Sequence, residues 1–252
     1  MTSELDTSFL PLRDACDAGW FMDATNELVK GLPVTRDDVV VDVGCGDIPN
    51  AAFCARRGAA IILADNDADK IAAAKQRLAN EGARSVEAFV TDSNPLPIPD
   101  NTASIVIATE VLEHVDDPKR FLGELTRIGR PGARYLLTVP DPVAEKLQKT
   151  LAPASYFEKP NHIRIIEREE FAAMVNDAGL VVERRSSYGF YWAMWWLMFW
   201  TCKVDFPNPH HPVLDNWTRT WAQLLETEQG RQVKDALDAF MPKSQLIVAR
   251  KL

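Results

Sequence analysis

Short runs of β-branched and aliphatic residues alternate with amphipathic stretches along most of this chain. DVVVDV (38–43) stops at glycines and has the length of a buried strand rather than a helix. AIILA (60–64), VEAFV (86–90), ASIVIAT (103–109), ARYLLTV (133–139), LVVERRS (180–186) and SQLIVAR (244–250) repeat the pattern. Between them lie helix signals. Pro49 suits a first helical position in a short helix through Arg57 that ends at Gly58. Asp67 reads as the N-cap of a helix with Ile71, Ala74 and Leu78 on one face, closed by Gly82. Further helices are predicted over 118–128, before a Pro131-Gly132 stop, and over 168–178, where Phe171, Met174, Val175 and Ala178 share a face. This alternation predicts a doubly wound, mainly parallel α/β sheet.

Residues 188–242 interrupt the pattern before the last strand and read as a mostly helical insertion. It opens with GFYWAMWWLMFW (189–200), which holds four of the seven tryptophans and no charge. That run is shorter than the roughly 20 apolar residues that span a bilayer, so no transmembrane segment is expected. A helix apolar on every side is buried on both faces, or meets lipid or another subunit. A sixth strand parallel to its neighbours delivers the chain to the ligand-binding edge. The insertion is therefore expected over the substrate side, with Tyr188, Trp192, Trp195 and Trp196 as candidate substrate contacts; a plain core helix is the equal competitor. Residues 1–37, with Trp20 and Phe21 in an amphipathic stretch, are expected to form a helical cap closing the ligand from the opposite side.

The 252 residues suffice for one domain, 1–252, with these additions. A formal net charge of −8 and the lack of a basic cluster argue against nucleic acid as a partner. The four cysteines lie outside CxxC or Cys/His ligand spacing, so neither a disulfide framework nor a metal site is expected, and a reducing cytoplasm fits. The first residues lack a signal-peptide pattern. A homo-oligomer is compatible with the sequence.

In open α/β sheets, ligands bind beyond the carboxyl ends of the strands. The residues at those ends are polar or glycine: Asp42, Gly44, Cys45 and Gly46 after the first strand, Asp65 and Asn66 after the second. Asp92 and Ser93 follow the third, Thr109 and Glu110 the fourth. Glycines let the backbone turn tightly and approach a ligand, and a carboxylate at position 65 suits a ribose diol. With Pro49 in place of its last glycine, the turn departs from the GxGxxG dinucleotide pattern, which disfavours a nicotinamide cofactor.

Through VVVDVGCGD, ADNDADKI, TDSNPLPIPDNTASIVIATEVLEHVDDPKRFLGEL and RIGRPGARYLLTVP, about 38 to 179, the sequence resembles the class I S-adenosylmethionine-dependent methyltransferases of the type 11 small-molecule group. The resemblance implies a Rossmann-like sheet ordered 3-2-1-4-5-7-6 with the seventh strand antiparallel. It implies S-adenosylmethionine as cofactor and S-adenosylhomocysteine as product. It also implies that Asp42, Gly44 and Gly46 meet the methionine portion, Asp65 the ribose, Asp92 the adenine, and Thr109 to His114 the methyl end. Two departures stand out: Ile48 replaces the family's third glycine, and PGARYL its usual PGGxL.

Methyl transfer from a sulfonium is an in-line displacement in which alignment dominates; a general base matters where the acceptor must lose a proton. His114 and His162 are the candidate catalytic residues, each with a structural alternative. His210 and His211 read as loop residues between prolines. Glu110 and Glu113, three apart near a helix start, read as capping and solvating groups rather than a paired acid and base. The expected function is methylation of a small molecule, apolar or aromatic, on oxygen in preference to nitrogen or carbon. The competing expectations are methylation of a saccharide or lipid-linked envelope precursor, and an inactive cofactor-binding scaffold.

Overall fold

The computed structural model describes residues 7, 9–206 and 209–252. It begins with a helix, α1 (Leu10–Asp17), and three short strands, β1 (Trp20–Met22), β2 (Glu27–Val29) and β3 (Leu32–Pro33), paired as an antiparallel meander. The expected helical cap over 1–37 is thus one helix plus a small sheet. Gly19 and Gly31 take left-handed φ of 89° and 88°, turns that break a continuous helix. Trp20, Leu28, Val29 and Leu32 are buried against one face of the main sheet, and Phe21 packs on Phe53 at 5.7 Å between ring centroids. Neither Trp20 nor Phe21 lines the cleft at the ligand edge; residues 1–6 and 8 lie outside the described residues.

The main sheet comprises β4 (Val39–Val43), β5 (Ala60–Asp65), β6 (Ser85–Val90), β7 (Ala103–Thr109), β8 (Gly129–Pro140), β9 (Leu180–Tyr188) and β10 (Ser244–Lys251). Its order is β6-β5-β4-β7-β8-β10-β9, which is the third, second, first, fourth, fifth, seventh and sixth strand of this sheet. β4 to β8 pair in parallel, and β10 is antiparallel to both neighbours. Helices α2 (Pro49–Ala55), α3 (Ala68–Leu78), α4 (Pro118–Ile128) and α6 (Arg168–Asp177) form the crossovers. Local chemistry explains their starts: the Asp67 carboxylate accepts from the Asp69 and Lys70 amides, and that of Asp117 from Arg120. Successive strand residues alternate between two cores. Val41, Val106 and Leu137 face α4 and α6; Val40, Ile105 and Leu136 face α2, α3 and the meander.

Between β8 and α6 the chain forms a helix, α5 (Pro142–Gln148), and a 3₁₀ turn over Ala154–Phe157. Residues 190–240 form α7 (Phe190–Cys202), α8 (Pro212–Leu225) and α9 (Gly230–Phe240). These helices build a third core in which Phe190, Tyr191, Leu197, Trp221 and Leu225 meet Leu10 of α1 and Ala144 of α5. A buried polar latch ties them down. Lys234 Nζ lies 2.7 Å from Asp238 and 3.1 Å from Asp14, and the Trp221 indole donates to Asp14 at 2.8 Å. The other oxygen of Asp238 accepts the Gly189 and Phe190 amides and so holds the start of α7. Among the described residues, no helix is long and apolar enough to cross a membrane.

Candidate functional site

A cleft of about 1040 Å³ opens at the carboxyl ends of β4, β5, β6 and β7. Gly44, Gly46, Asp65, Asn66, Asp92, Ser93, Thr109, Glu110 and His114 all line it. The sheet order makes this convergence: β4 is where successive connections begin to run in opposite directions, so the loops after β4 and β7 splay apart and leave a crevice.

The glycine turn has an identifiable cause. Gly44 has φ +69°, and a Cβ there would stand 2.5 Å from Val111 Cγ2; Gly46 has φ +48°. The Gly46 amide points to Asp65 Oδ2 at 3.3 Å, while Asp65 Oδ1 accepts the Asp67 amide at 3.0 Å. This fixes the carboxylate at the cleft wall. Ile48 takes a left-handed φ of 58° and its side chain is buried. A residue other than glycine is thus accommodated where the family pattern has one.

Two expected contributors lie behind the cleft rather than in it. Cys45 is buried, and burial with Asp42 and Asp65 nearby pushes its thiol up to about 12. Asp42 is 1% exposed and neither carboxylate oxygen has a hydrogen-bond partner. Desolvation, then repulsion from Asp65, drives its pKa well above the ordinary carboxylate range, against a smaller opposing effect of the Ala51 amide. A buried carboxylate left in this way lacks a donor or cation.

At the other end of the cleft, four segments that are far apart in sequence meet. Glu110, at φ +56°, accepts a hydrogen bond from the Thr138 hydroxyl, donates its amide to the Thr138 carbonyl and forms an ion pair with Lys243. Burial opposes the charge on Lys243, but Glu110 outweighs it and the ammonium is held above its usual pKa. His114 lines the cleft; its Nδ1 lies 3.1 Å from the Pro160 carbonyl and its Nε2 3.8 Å from Glu113 Oε1. Burial, then the neighbouring His162, lowers the His114 pKa. The His162 ring stands edge-on to that of His114 at 4.9 Å, with Nδ1 2.5 Å from Glu145 Oε1.

His162 therefore adjoins the cleft from behind His114 and does not line it. Arg164 secures this arrangement by donating to the carbonyls of Leu112, Val115 and Asp116. Glu113 departs most from its expected role. It is 1% exposed, neither oxygen has a partner, and desolvation followed by Glu110 drives its pKa well up. It does not solvate or cap; its side chain is turned inward beside the histidines.

Tyr188, Trp192, Trp195 and Trp196 do not line the cleft. Tyr188 packs on Trp20 at 5.3 Å, and burial raises its phenol pKa. Trp192, Trp195 and Trp196 meet edge to face along α7, at 5.7 Å and 5.2 Å between successive rings. The physical reason is the segment 141–162, whose α5 and 3₁₀ turn stand between α7 and the cleft. That segment carries residues the sequence pattern did not single out, among them Glu145 and Asp141, whose amide donates to the Lys243 carbonyl at 2.8 Å; the Asp141 carboxylate caps α5 and pairs with Arg168 at 2.7 Å. Tyr156 bridges the two regions, 4.8 Å from both the His162 and the Trp200 rings. His211 caps α8 through Nδ1, and His210 lies exposed.

Residues 41–137 match the family model described as "Methyltransferase domain". Among curated proteins, the chain is 29% identical over 164 residues, 62% of this chain and 57% of the relative, to the methyltransferase GfsG of Streptomyces halstedii. It is 33% identical over 92 residues, 36% of each chain, to a ubiquinone biosynthesis O-methyltransferase of Parvibaculum lavamentivorans. The chain spans about half the length of the first curated relatives it matches. The solved structure of a geranyl diphosphate methyltransferase in complex with SAM has the same fold, with a TM-score of 0.59 at 18% identity over 87% of this chain and 80% of that one.

Proposed function

We propose that the chain is a class I S-adenosylmethionine-dependent methyltransferase of the type 11 group, a reading supported by the methyltransferase-domain match over residues 41–137, and that it methylates a hydroxyl oxygen of a small, partly apolar molecule. S-adenosylmethionine is the cofactor, and it supplies an activated methyl group on a sulfonium. The residues fit such a group. The Gly44–Gly46 turn leaves its backbone uncovered, Asp65 offers a fixed carboxylate at the wall, and the orphaned carboxylate of Asp42 suits a ligand ammonium. In this reading Gly44 and Gly46 form the methionine end with Asp42 and Cys45 behind them, Asp65 and Asn66 hold the ribose, and Asp92 and Ser93 flank the adenine. Thr109 and Glu110 border the methyl.

The observation that carries the choice of oxygen is the imidazole–carboxylate cluster at the cleft's far end, His114 in the lining with His162 and Glu145 behind it. A hydroxyl must lose its proton as it becomes an ether, and histidine is the side chain best suited to assist near neutral pH. Support for an apolar or aromatic acceptor comes from the Tyr156–Trp200–Trp196 stack that backs this cluster. The aromatic run then acts on the substrate through Tyr156 rather than by direct contact. Calorimetry with S-adenosylmethionine and S-adenosylhomocysteine, followed by labelled-methyl transfer to phenols, alcohols, amines and carbon acids, tests the proposal. Saturable cofactor binding with turnover on hydroxyl acceptors is the expected result. Binding of neither cofactor form refutes the reading, and labelling confined to nitrogen or carbon refutes the choice of oxygen.

A further inference from the structure

Glu113, His114 and His162 present one ligand atom each within 4.8 Å of one another, a grouping absent from any local sequence motif. We propose that these three residues hold a divalent ion of the zinc class at the acceptor end of the cleft. The inference rests on the methyltransferase reading for the ion's use, but the site itself stands on its own geometry.

Three features support the proposal. Both histidines are committed through Nδ1 to an outer acceptor, His114 to the Pro160 carbonyl at 3.1 Å and His162 to Glu145 at 2.5 Å. An Nδ1–H that donates outward leaves the Nε2 lone pair free, the pattern by which second-layer acceptors orient metal-ligating histidines. Next, Glu113 is buried with both oxygens unpartnered, and its Oε1 is 3.8 Å from His114 Nε2. The cations around it are committed elsewhere: Lys243 to Glu110, and Arg164 to main-chain carbonyls. Finally, two nitrogens and one carboxylate oxygen are a donor set for zinc or a similar transition ion rather than for magnesium, which prefers oxygen alone. Zinc bonds of about 2.0–2.1 Å require the ligand atoms to draw inward, a movement within reach of side-chain rotation.

Three protein ligands leave a coordination position open, and His114, which lines the cleft, directs it there. With the ion bound both imidazoles are ligands and the ion replaces them as the group that assists deprotonation: an acceptor hydroxyl at that position becomes more acidic and releases its proton to solvent. Its oxygen then forms the bond to the methyl carbon, and the electron pair of the broken carbon–sulfur bond stays on sulfur. The ion changes neither oxidation state nor ligand count at the protein. Compounds carrying a hydroxyl beside a second oxygen donor are the acceptor class this arrangement favours.

The test uses the full chain stripped with a chelator, then titrated with Zn²⁺ against a chromophoric competitor and with Co²⁺ followed by visible absorption. One equivalent of tight zinc and the ligand-field bands of four- or five-coordinate cobalt are expected. His162→Ala and Glu113→Gln should abolish the stoichiometric site, and Glu145→Gln should weaken it by about 10–100-fold. Wild-type protein that takes up no stoichiometric Zn²⁺ or Co²⁺ overturns the proposal whatever the variants do. Unchanged affinity in both ligand variants overturns it too. Calorimetry with S-adenosylhomocysteine separates the two readings: cofactor binding without metal binding sinks the ion site and leaves the methyltransferase reading standing, whereas stoichiometric metal with no cofactor binding does the reverse.

Discussion

Replacing Asp42 by asparagine should stabilise the cofactor-free protein while weakening its hold on the cofactor. The carboxylate is 1% exposed, both oxygens lack partners, and Asp65 adds like charge. A buried polar group without a partner costs about 1–3 kcal/mol, more when charged, and asparagine keeps the shape while removing the charge. Folding raises the pKa of Asp42, so the folded state binds its proton more tightly than the unfolded one. The destabilisation is therefore absent below the unfolded value near 3.8, grows as pH rises, and is complete above the folded pKa. Thermal unfolding of the two proteins should thus diverge upward from about pH 4. At neutral pH the variant should melt higher by roughly 2–12 °C, at about 2–4 °C per kcal/mol for a chain of this size.

With cofactor present the order should reverse. A direct charge-assisted contact contributes about 1.5–3 kcal/mol, an upper bound for a carboxylate set behind the glycine turn, so the asparagine variant should bind S-adenosylhomocysteine more weakly by up to about 150-fold by calorimetry. The reasoning fails if the variant binds as tightly as wild type, because the carboxylate is then not held in reserve for the ligand. It fails equally if the cofactor-free variant melts lower at neutral pH.

Further expectations follow from other parts of the molecule. Asp65→Ala removes the carboxylate fixed by the Gly46 and Asp67 amides and should weaken S-adenosylhomocysteine binding by at least about tenfold, with little loss of melting temperature; undiminished affinity would move the ribose elsewhere. Gly44→Ala forces a Cβ to within 2.5 Å of Val111 at a left-handed φ of 69°, so cofactor binding should fall sharply while the far-UV spectrum persists, and titration calorimetry checks this. Lys234→Met leaves Asp14 and Asp238 buried without their shared cation and should cost about 3–5 kcal/mol in urea unfolding, while the double replacement Lys234→Met/Asp14→Asn should recover part of the loss.

The sheet was legible because each strand is an apolar run of strand length bounded by glycine, proline or a cap, and such signals are local. The loop residues of the cofactor edge were legible for the same reason: each follows its strand directly. The acceptor end was legible only in part: Glu110, His114 and His162 were singled out, but Glu145 and Lys243 were not. Its members come from the turn after β7, from α5, from the stretch before α6 and from the residue preceding β10, and no spacing rule links them. Glu113 carried a misleading local signal, since a glutamate near a helix start usually faces water. Lys234 and Asp238 carry no local signal of burial: a charged pair four apart on a helix suits a solvated face, and Asp14 across the interface is what pairs with Lys234 in the interior.

The aromatic run shows how topology and packing divide the answer. Strand direction correctly delivers residue 188 to the ligand edge, yet Asp238 captures the Gly189 and Phe190 amides at once and fixes α7 along the third core. Segment 141–162 fills the space between α7 and the cleft. Trp200 is then tied to this segment twice, by its indole donating to Gln148 at 3.1 Å and by its ring against Tyr156 at 4.8 Å. Tyr156 in turn touches His162, so a change in how α7 packs reaches the acceptor end through two aromatic contacts rather than through the lining itself. On the proposed reading, acceptor preference is set by two layers: the intervening segment determines which polar groups face the cleft, and the tryptophan helix behind it determines how firmly they are held.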